Sequence, residues 1–458
     1  MKEFDNIIIG FGKGGKTLAG ALAAKGEKTA LIERSDKMYG GTCINVACIP
    51  SKFLENSARL SAEAGGSFQE KAARYRRTIE EKRQIISDLR QKNLAKAVGA
   101  GVEVITGTAS FLDDHKIQVS YPDGTGEELY GKRIFINTGA KPFIPPIAGL
   151  KESRYAYTSE GMMELEELPE KLLIIGGGYI GLEFASYYTN FGSKVTVIQD
   201  GERFIPREDE EVAASVLAHM TETGIRILRS SEVTEVKDGT DGAEVTVKTG
   251  DGEETLHVQA ILAATGRRPN VEGLHPEKAG IQLTKRGAIQ TDEGLRTSVP
   301  HIWAMGDVAG GLQFTYISLD DSRIVKSQIL GDGSRTTQNR GAVPYSVFLD
   351  PPLSRVGMTE KEAREAGFEV KVARMMTAAA PRARVLKATT GMLKAVIDAG
   401  TGQILGAHFY CAESHELINL IKLAMDAKIP YTVLRDNIYN HPTTVSYTHL
   451  TLPTKRIV

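Results

Sequence analysis

An α/β fold is predicted by three observations. Strand-length apolar runs alternate with helix-length segments through residues 1–200, the pattern of a parallel sheet covered by helices. A glycine fingerprint sits between an apolar run and a helical stretch at Gly10, and a second one recurs at Gly176. From about Gly341 the rhythm changes to short strands interleaved with helices. Together these give two Rossmann-like dinucleotide-binding domains followed by a C-terminal α+β domain. In order, Ile7–Gly10, Thr29–Glu33, Val102–Gly107 and Lys132–Asn137 read as strands, and Thr17–Lys25 as a helix. Residues 53–98 form one long charged amphipathic stretch of helical character. The second unit starts at Leu172–Gly176 and continues at Lys194–Gln199, and short strands broken by Asp-Gly and Thr-Gly turns fill 232–265. Pro142–Pro146 and Arg267–Asn270 are the expected crossovers between lobes. Beyond them, Val343–Phe348, Met392–Asp398 and Ile404–Phe409 read as strands, and Thr359–Ala366 and Ser414–Ala427 as helices. The expected boundaries are 1–145 with 267–338, then 146–266, then 339–444.

The chain has 458 residues, enough for two to four domains that each bury a core. Its 41% hydrophobic and 25% charged content is that of a globular protein, and a net charge of −1 offers no basic field for nucleic acid or an anionic membrane. The apolar run Ile7–Ile9 is too short for a signal segment or a membrane span, so a cytoplasmic protein is expected. There are three cysteines: Cys43, Cys48 and Cys411. A close pair in such a compartment points to catalysis or metal binding rather than to a structural bridge.

The first fingerprint, Gly10-Phe11-Gly12-Lys13-Gly14-Gly15, needs glycines for the tight turn, for close approach of a pyrophosphate and for helix–strand packing. The helix behind it points unpaired N–H groups at the phosphates. Glu33, at the end of the next strand, is placed for a ribose diol. The second fingerprint contributes Gly176, Gly178, Tyr179 and Gly181, and its next strand ends at Gln199 and Asp200. Two fingerprints imply two dinucleotides. The economical pair is FAD with NAD(P)H, since a flavin passes electrons from a two-electron donor to a third group.

That third group is the C-x4-C of Gly40-Gly41-Thr42-Cys43-Ile44-Asn45-Val46-Ala47-Cys48-Ile49-Pro50-Ser51-Lys52. On a regular helix, residues five apart are about 7.5 Å apart along the axis and roughly 140° around it. A disulfide wants Cα atoms within about 7 Å. The glycines and Pro50 therefore predict a kinked loop running into a helix, where a thiolate is favoured by the helix dipole and by Lys52. Structural zinc needs four ligands in a closed site, and no second Cys or His pair of matching spacing is present, so no metal is expected. Cys411 reads as a core thiol.

At these residues the sequence resembles the pyridine nucleotide–disulfide oxidoreductases, among them glutathione reductase, lipoamide dehydrogenase and mercuric reductase, from Lys2 to about Thr444. Thr138-Gly139-Ala140, Ala264-Thr265-Gly266-Arg267 and Gly306-Asp307 belong to the same resemblance. It implies that Gly41, Thr42, Thr138, Gly139 and Asp307 join Gly10, Gly12, Gly15 and Glu33 around FAD, and that Gly266 joins the NAD(P)H site. It implies that Lys52 pairs with Glu183 beside the flavin, that Tyr179 covers the flavin until nicotinamide displaces it, and that Cys43 and Cys48 cycle between disulfide and dithiol. In that cycle Cys48 lies nearest the flavin and Cys43 meets the substrate. His441 of the partner subunit would act as acid/base for Cys43, which implies a homodimer. Phe11-Gly12-Lys13, Met38–Asn45, Gly311–Ser318, Pro381–Val385 and Ser414-His415-Glu416 are most similar to one branch, the reactive-chlorine-resistance flavoprotein reductases. That likeness implies a small-molecule oxidant such as hypothiocyanous acid or Cu(II), handled by an exposed thiolate. Other outcomes of the same fold are a disulfide reductase of the glutathione or lipoamide type and a mercuric reductase. An outcome of another class is a flavoprotein redox sensor or complex component.

Three departures from the family pattern stand out. Ala47 replaces a common Gly. Gln199 stands where NADH users carry Glu, although Asp200 beside it opposes a 2′-phosphate, so a modest NADH preference over NADPH is expected. Ser446 stands where a Glu orients the family's histidine. From Val445 the string through Val458 carries no family resemblance and reads like translated sequencing-library adapter, so 445–458 is expected to be foreign.

Overall fold

A computed structural model of the chain describes residues 1–446. The first unit runs β1 (Lys2–Ile9), α1 (Lys13–Ala23), β2 (Thr29–Glu33), α2 (Thr42–Asn45), α3 (Cys48–Ala64), α4 (Phe68–Gly99), β3 (Glu103–Thr106), β4 (Thr108–Phe111), β5 (Lys116–Ser120) and β6 (Gly126–Ile136). The strands form a sheet in the order β3-β2-β1-β6-β5-β4. β1 pairs parallel to both β2 and β6. Ile7, Ile8 and Ile9 are all buried because both faces of the sheet are covered, which is why the run reads as continuously apolar. β6 starts earlier than expected. Its first half pairs antiparallel with β5 in a hairpin and mixes exposed with buried positions, so it lacks the apolar signal of its second half.

The stretch 53–98 is two helices, not one. α3 already starts at Cys48, with Pro50 in its first turn, where a missing N–H costs nothing. It ends at Gly65 (φ +65°) and Gly66 (φ +100°). α4 restarts after Ser67, whose side chain and that of Glu70 cap each other's backbone N–H groups.

The chain then crosses through β7 (Ala140–Pro142) into β8 (Ala156–Thr158), α5 (Ser159–Met162), β9 (Lys171–Ile175), α6 (Tyr179–Phe191), β10 (Lys194–Ile198), α7 (Glu210–Glu222) and β11 (Arg226–Leu228). A three-stranded meander follows: β12 (Glu232–Asp238), β13 (Ala243–Thr249) and β14 (Gly252–Val258). β15 (Ala260–Ala263) completes a five-stranded parallel sheet, β11-β10-β9-β15-β8. The return segment, β16 (Arg267–Pro269), pairs antiparallel with β7. β17 (Ile302–Ala304) rejoins the first sheet beside β6, and α8 (Thr315–Leu330) packs on α1.

The α+β remainder contains β18 (Tyr345–Val347), β19 (Leu353–Gly357), α9 (Glu360–Glu365), β20 (Val370–Met376), α10 (Pro381–Val385), β21 (Met392–Asp398), β22 (Ile404–Tyr410), α11 (Ser414–Asp426) and α12 (Tyr431–Asp436). Its sheet is antiparallel, in the order β18-β19-β22-β21-β20. Lys394, 3% exposed on β21, reaches Asp209 Oδ2 at 2.8 Å, Glu211 Oε2 at 2.5 Å and Glu360 Oε2 at 2.9 Å. A buried ammonium survives only with such partners. Two of them stand at the start of α7, so the cluster ties the second nucleotide unit to the C-terminal sheet.

Of the string expected to be foreign, Val445 packs against the C-terminal core and Ser446 is buried, while 447–458 lie outside the described residues. Among the described residues no helix is long and apolar enough to cross a membrane.

Candidate active site

One cavity of about 2420 Å³ runs from the first fingerprint, past the cysteine pair, to the start of α6. The β1–α1 turn leaves no space for side chains. A Cβ on Gly10 (φ +105°) would lie 2.3 Å from the Asn137 carbonyl oxygen, and one on Gly41 (φ +83°) 2.6 Å from Gly12 Cα. Asn137 clamps the turn: its Oδ1 accepts from Gly15 N at 2.8 Å and its Nδ2 donates to Met305 O at 2.7 Å. Glu33 Oε2 accepts from Phe11 N at 2.9 Å. Burial pushes its carboxyl up, against the pull of backbone N–H groups.

Farther along, Thr42, Gly139 and Asp307 border the same cavity. Burial raises the Asp307 carboxyl, with Arg267 opposing. The Thr138 hydroxyl, also on this wall, is buried without a hydrogen-bond partner. A bare helix start, an acid at each end and an orphan hydroxyl between them fit FAD, whose diphosphate takes N–H donors and whose ribityl hydroxyls take acceptors. Of the residues expected around it, Gly15 alone does not reach the cavity wall, being buried at the helix–strand contact.

The cysteine segment is kinked as predicted. The one-turn α2 ends at Val46, Ala47 adopts φ −145°, and α3 restarts at Cys48. The Ala47 φ is negative, so this position lies outside the left-handed region that favours Gly. Cys43 and Cys48 are half-buried free thiols on the cavity wall. The neighbouring Cys48 holds the Cys43 thiol below its ordinary value, against burial and with help from Thr315, Lys16 and Lys13. Cys43 in turn raises Cys48, and burial adds to it.

Next to the pair, Lys52 Nζ meets Glu183 Oε2 at 2.6 Å, and Glu183 Oε1 accepts from Phe348 N at 2.9 Å. Lys52 also lies 4.4 Å over the Phe348 ring. α3 and α6 come from different units, so this expected pair forms across the join between them.

At the start of α6, Tyr179 donates its hydroxyl to the buried Glu208, which also accepts from Tyr345 Oη at 2.6 Å. Tyr179 and Tyr345 stand 5.7 Å apart, ring to ring, and both border the cavity. Gly176 (φ +113°) and Gly181 repeat the close approach of the first fingerprint: Cβ atoms there would lie 2.5 Å from Ala264 O and 2.1 Å from Gly176 O. Gly178 opens α6 with nothing within 4 Å of its Cβ position, and Gly266 (φ +110°) is equally open, so both leave space for a second nucleotide.

Gln199 behaves differently from a free ribose acceptor. It is buried, and its Nε2 donates to Gly201 O and Arg203 O, both at 2.8 Å, shaping the loop from inside. His441 is not on the cavity wall of its own chain. Its Nδ1 meets Ser446 Oγ at 3.4 Å, at the position where the family's Glu was expected.

Three contributors escaped the sequence reading. Thr315 Oγ1 lies 3.4 Å from Cys48 Sγ, and Asn137 and Glu208 act as described above. Their partners are brought in by long-range topology, so no local spacing announces them. Among the described residues one group has metal-ligand proximity, Asp114, His115 and His301. The two imidazoles stack at 3.8 Å and 4°, so their in-plane lone pairs lie in parallel planes and do not converge on one ion.

Comparison with known proteins agrees with this geometry. The family model "Pyridine nucleotide-disulphide oxidoreductase" matches residues 4–322, and its dimerisation-domain model matches 343–450. The chain is 46% identical over 443 residues to the probable pyridine nucleotide-disulfide oxidoreductase RclA of Escherichia coli, covering 96% of this chain and 97% of that protein. It is 33% identical over 444 residues to a mercuric reductase of Staphylococcus aureus, covering 95% of this chain and 79% of the other. A solved structure of the HOCl-induced flavoprotein disulfide reductase RclA from E. coli superposes with a TM-score of 0.90 at 45% identity over 97% and 98% of the two chains. A Cu(II) complex of the same reductase gives 0.92 at 45% over 99% of each. The chain therefore belongs to the pyridine nucleotide-disulphide oxidoreductases, as an enzyme with two dinucleotide-binding domains and a dimerisation domain.

Proposed function

We propose that this enzyme draws electrons from NAD(P)H through FAD into a Cys43–Cys48 disulfide and delivers them to a small oxidant, Cu(II) or hypothiocyanous acid. Residues 1–145 with 267–338 hold FAD, 146–266 hold NAD(P)H, and 339–444 form the dimer contact. One observation carries the reading: the dithiol and the Lys52–Glu183 pair lie on the wall of one cavity that joins the flavin cradle to the start of α6. The likeness to a reductase solved with Cu(II) supports the choice of oxidant.

When bound, FAD supplies the two-electron relay between nicotinamide and disulfide. The chain's own residues do the rest. Glu183 fixes Lys52, whose charge favours electron-rich states of the neighbouring ring system and of Cys48. Tyr179 closes the nicotinamide side until the nucleotide displaces it. Cys43 presents a thiolate to the oxidant, and the partner subunit's His441 exchanges protons with it. Turnover with Cu(II), hypothiocyanous acid, Hg(II), oxidised glutathione and lipoamide tests the substrate class. The expected order places the first two ahead by at least tenfold in kcat/KM, and a preference for either disulfide overturns the proposal.

For the reductant, a modest NADH preference is expected. Arg203, the cation able to meet a 2′-phosphate, is paired with Glu210 at 2.9 Å. Both are exposed, so this pair opens for less than about 1 kcal/mol. Asp200 is exposed beside them and repels the phosphate. Gln199→Glu would aim a carboxylate at two carbonyl oxygens, so Asp200→Asn is the cleaner control and should erode the preference. Steady-state kcat/KM for both nucleotides decides. An NADPH preference beyond about tenfold, some 1.4 kcal/mol, rules out Asp200 as the discriminating charge.

A further inference from the structure

Glu208 is a buried carboxyl group with no part in the electron relay. It is 3% exposed and stands just before the N-cap of α7. One of its oxygens carries all of its side-chain hydrogen bonding. Oε1 accepts the phenol proton of Tyr179 and that of Tyr345, the latter at 2.6 Å, while Oε2 is buried without a hydrogen-bond partner. A buried carboxyl group with so few donors depends on each of them.

The segment that carries it is held on both sides. The Arg207 carbonyl before it accepts from Arg355 of β19, and the Asp209 side chain after it meets Lys394 at 2.8 Å. Its own N–H donates to Ile205 O at 2.9 Å. The acceptor is therefore the fixed partner, and the phenols are the parts able to leave it.

The two phenols are not equivalent. Tyr345 opens β18, pairs in register with Arg355, and has the Phe314 ring stacked 5.8 Å away at 16°. Tyr179 is the half-buried first residue of α6, on the cavity wall, and the Cβ position of Gly178 before it has nothing within 4 Å. When Tyr179 swings out, Tyr345 stays on Glu208. The second donor keeps the carboxyl group satisfied while the first is away, which makes the opening reversible.

We propose that Glu208 is the latch of the Tyr179 gate: a positioning residue that holds the ring closed through its hydroxyl and sets how readily a nicotinamide opens the site. The inference rests on the reading of Tyr179 as the ring that nicotinamide displaces. A ligand that needs the open state binds with its affinity reduced by the fraction of molecules that are open. The latch keeps that fraction small. It acts on the nicotinamide end alone, because an adenosine diphosphoribose lying along the second fingerprint has no ring to put in the place of the tyrosine.

Binding without turnover tests the idea. The flavin-loaded, oxidised protein is titrated calorimetrically with 1,4,5,6-tetrahydro-NAD, a nicotinamide analogue that cannot deliver hydride, and with ADP-ribose, which lacks the ring. Glu208→Gln replaces a charge-assisted hydrogen bond by a neutral one, so it should bind the analogue about tenfold more tightly and ADP-ribose as the wild type does. Tyr179→Phe keeps the ring and removes the hydroxyl, and it should give the same gain. The double variant should gain nothing further, whereas a general structural effect of Glu208 would add to that of the hydroxyl. Tyr179→Phe also leaves Glu208 on Tyr345, so it carries the test independently of how well Glu208→Gln folds. Tyr179→Ala, which removes the gate, should gain at least as much. If Tyr179→Ala tightens the analogue while Glu208→Gln and Tyr179→Phe match the wild type, the gate stands and the latch is overturned. An equal gain for ADP-ribose in Glu208→Gln overturns it too, as a loosening of the whole nucleotide unit. If Tyr179→Ala leaves the analogue at wild-type affinity, Tyr179 is not the gate, and the inference fails with that reading.

Discussion

Anaerobic reduction by NADH should give the wild type a long-wavelength absorption band that Cys48→Ser loses and Cys43→Ser keeps. Both variants should lose turnover of the oxidant on the order of a thousandfold or more, since each removes half of a two-sulfur relay. The spectral difference follows from the neighbours of each thiol. Cys48 has the Thr315 hydroxyl at 3.4 Å and feels the charge of Lys52, which is paired with Glu183. The band therefore depends on the Cys48 sulfur, and a serine at 43 leaves that sulfur and its neighbours in place. A serine at 48 leaves only Cys43, the thiol expected to face the substrate. Cys411→Ser is the control. This thiol is 1% exposed, and burial pushes it up to about 12, so neither band nor rate should move. If the two active-site serines exchange behaviours, the roles of the two sulfurs are reversed.

Gly12→Val should yield a colourless protein. Gly12 is the N-cap of α1 in an extended conformation, so backbone strain is not the obstacle. A Cβ there would lie 2.5 Å from Asn137 Oδ1, the atom that accepts from Gly15 N. The substitution therefore displaces the clamp behind the turn as well as filling the approach in front of it. Flavin content after desalting should fall from one per chain to near zero. Asp307→Leu separates lost binding from lost folding, because it removes an acceptor from the cavity wall while leaving the turn intact. It should weaken FAD by roughly tenfold to a hundredfold, the worth of one hydrogen bond to a charged group. Stoichiometric flavin in purified Gly12→Val sinks the assignment of this cradle.

The nucleotide units were legible because their chemistry is local. A strand, a glycine turn and a helix are consecutive in the chain, and the glycines at 10 and 176 are demanded by backbone atoms of the neighbouring strand. The kink between Cys43 and Cys48 was legible for the same reason. The split of 53–98 was written at Gly65-Gly66, but the charged amphipathic pattern on either side masked it. Thr315 and Glu208 were not legible. Thr315 meets Cys48 only because α8 packs on α1, and Glu208 meets Tyr179 and Tyr345 only after three segments converge. Gln199 was visible as a residue type, but which way its amide turned depended on the carbonyls of a loop that spacing alone does not describe.

The Lys394 cluster is also one end of a chain of contacts to the cavity. Asp209 and Glu211 bolt the start of α7 to the C-terminal sheet, and between them and Arg207, whose carbonyl is held by Arg355 of β19, stands Glu208, on which Tyr179 and Tyr345 hang. Five consecutive residues thus work as a short lever, with its fulcrum in the ion cluster and its working end at the aromatic wall of the cavity. The mouth of the cavity is thus joined to the C-terminal sheet by a run of contacts that bypasses the flavin cradle.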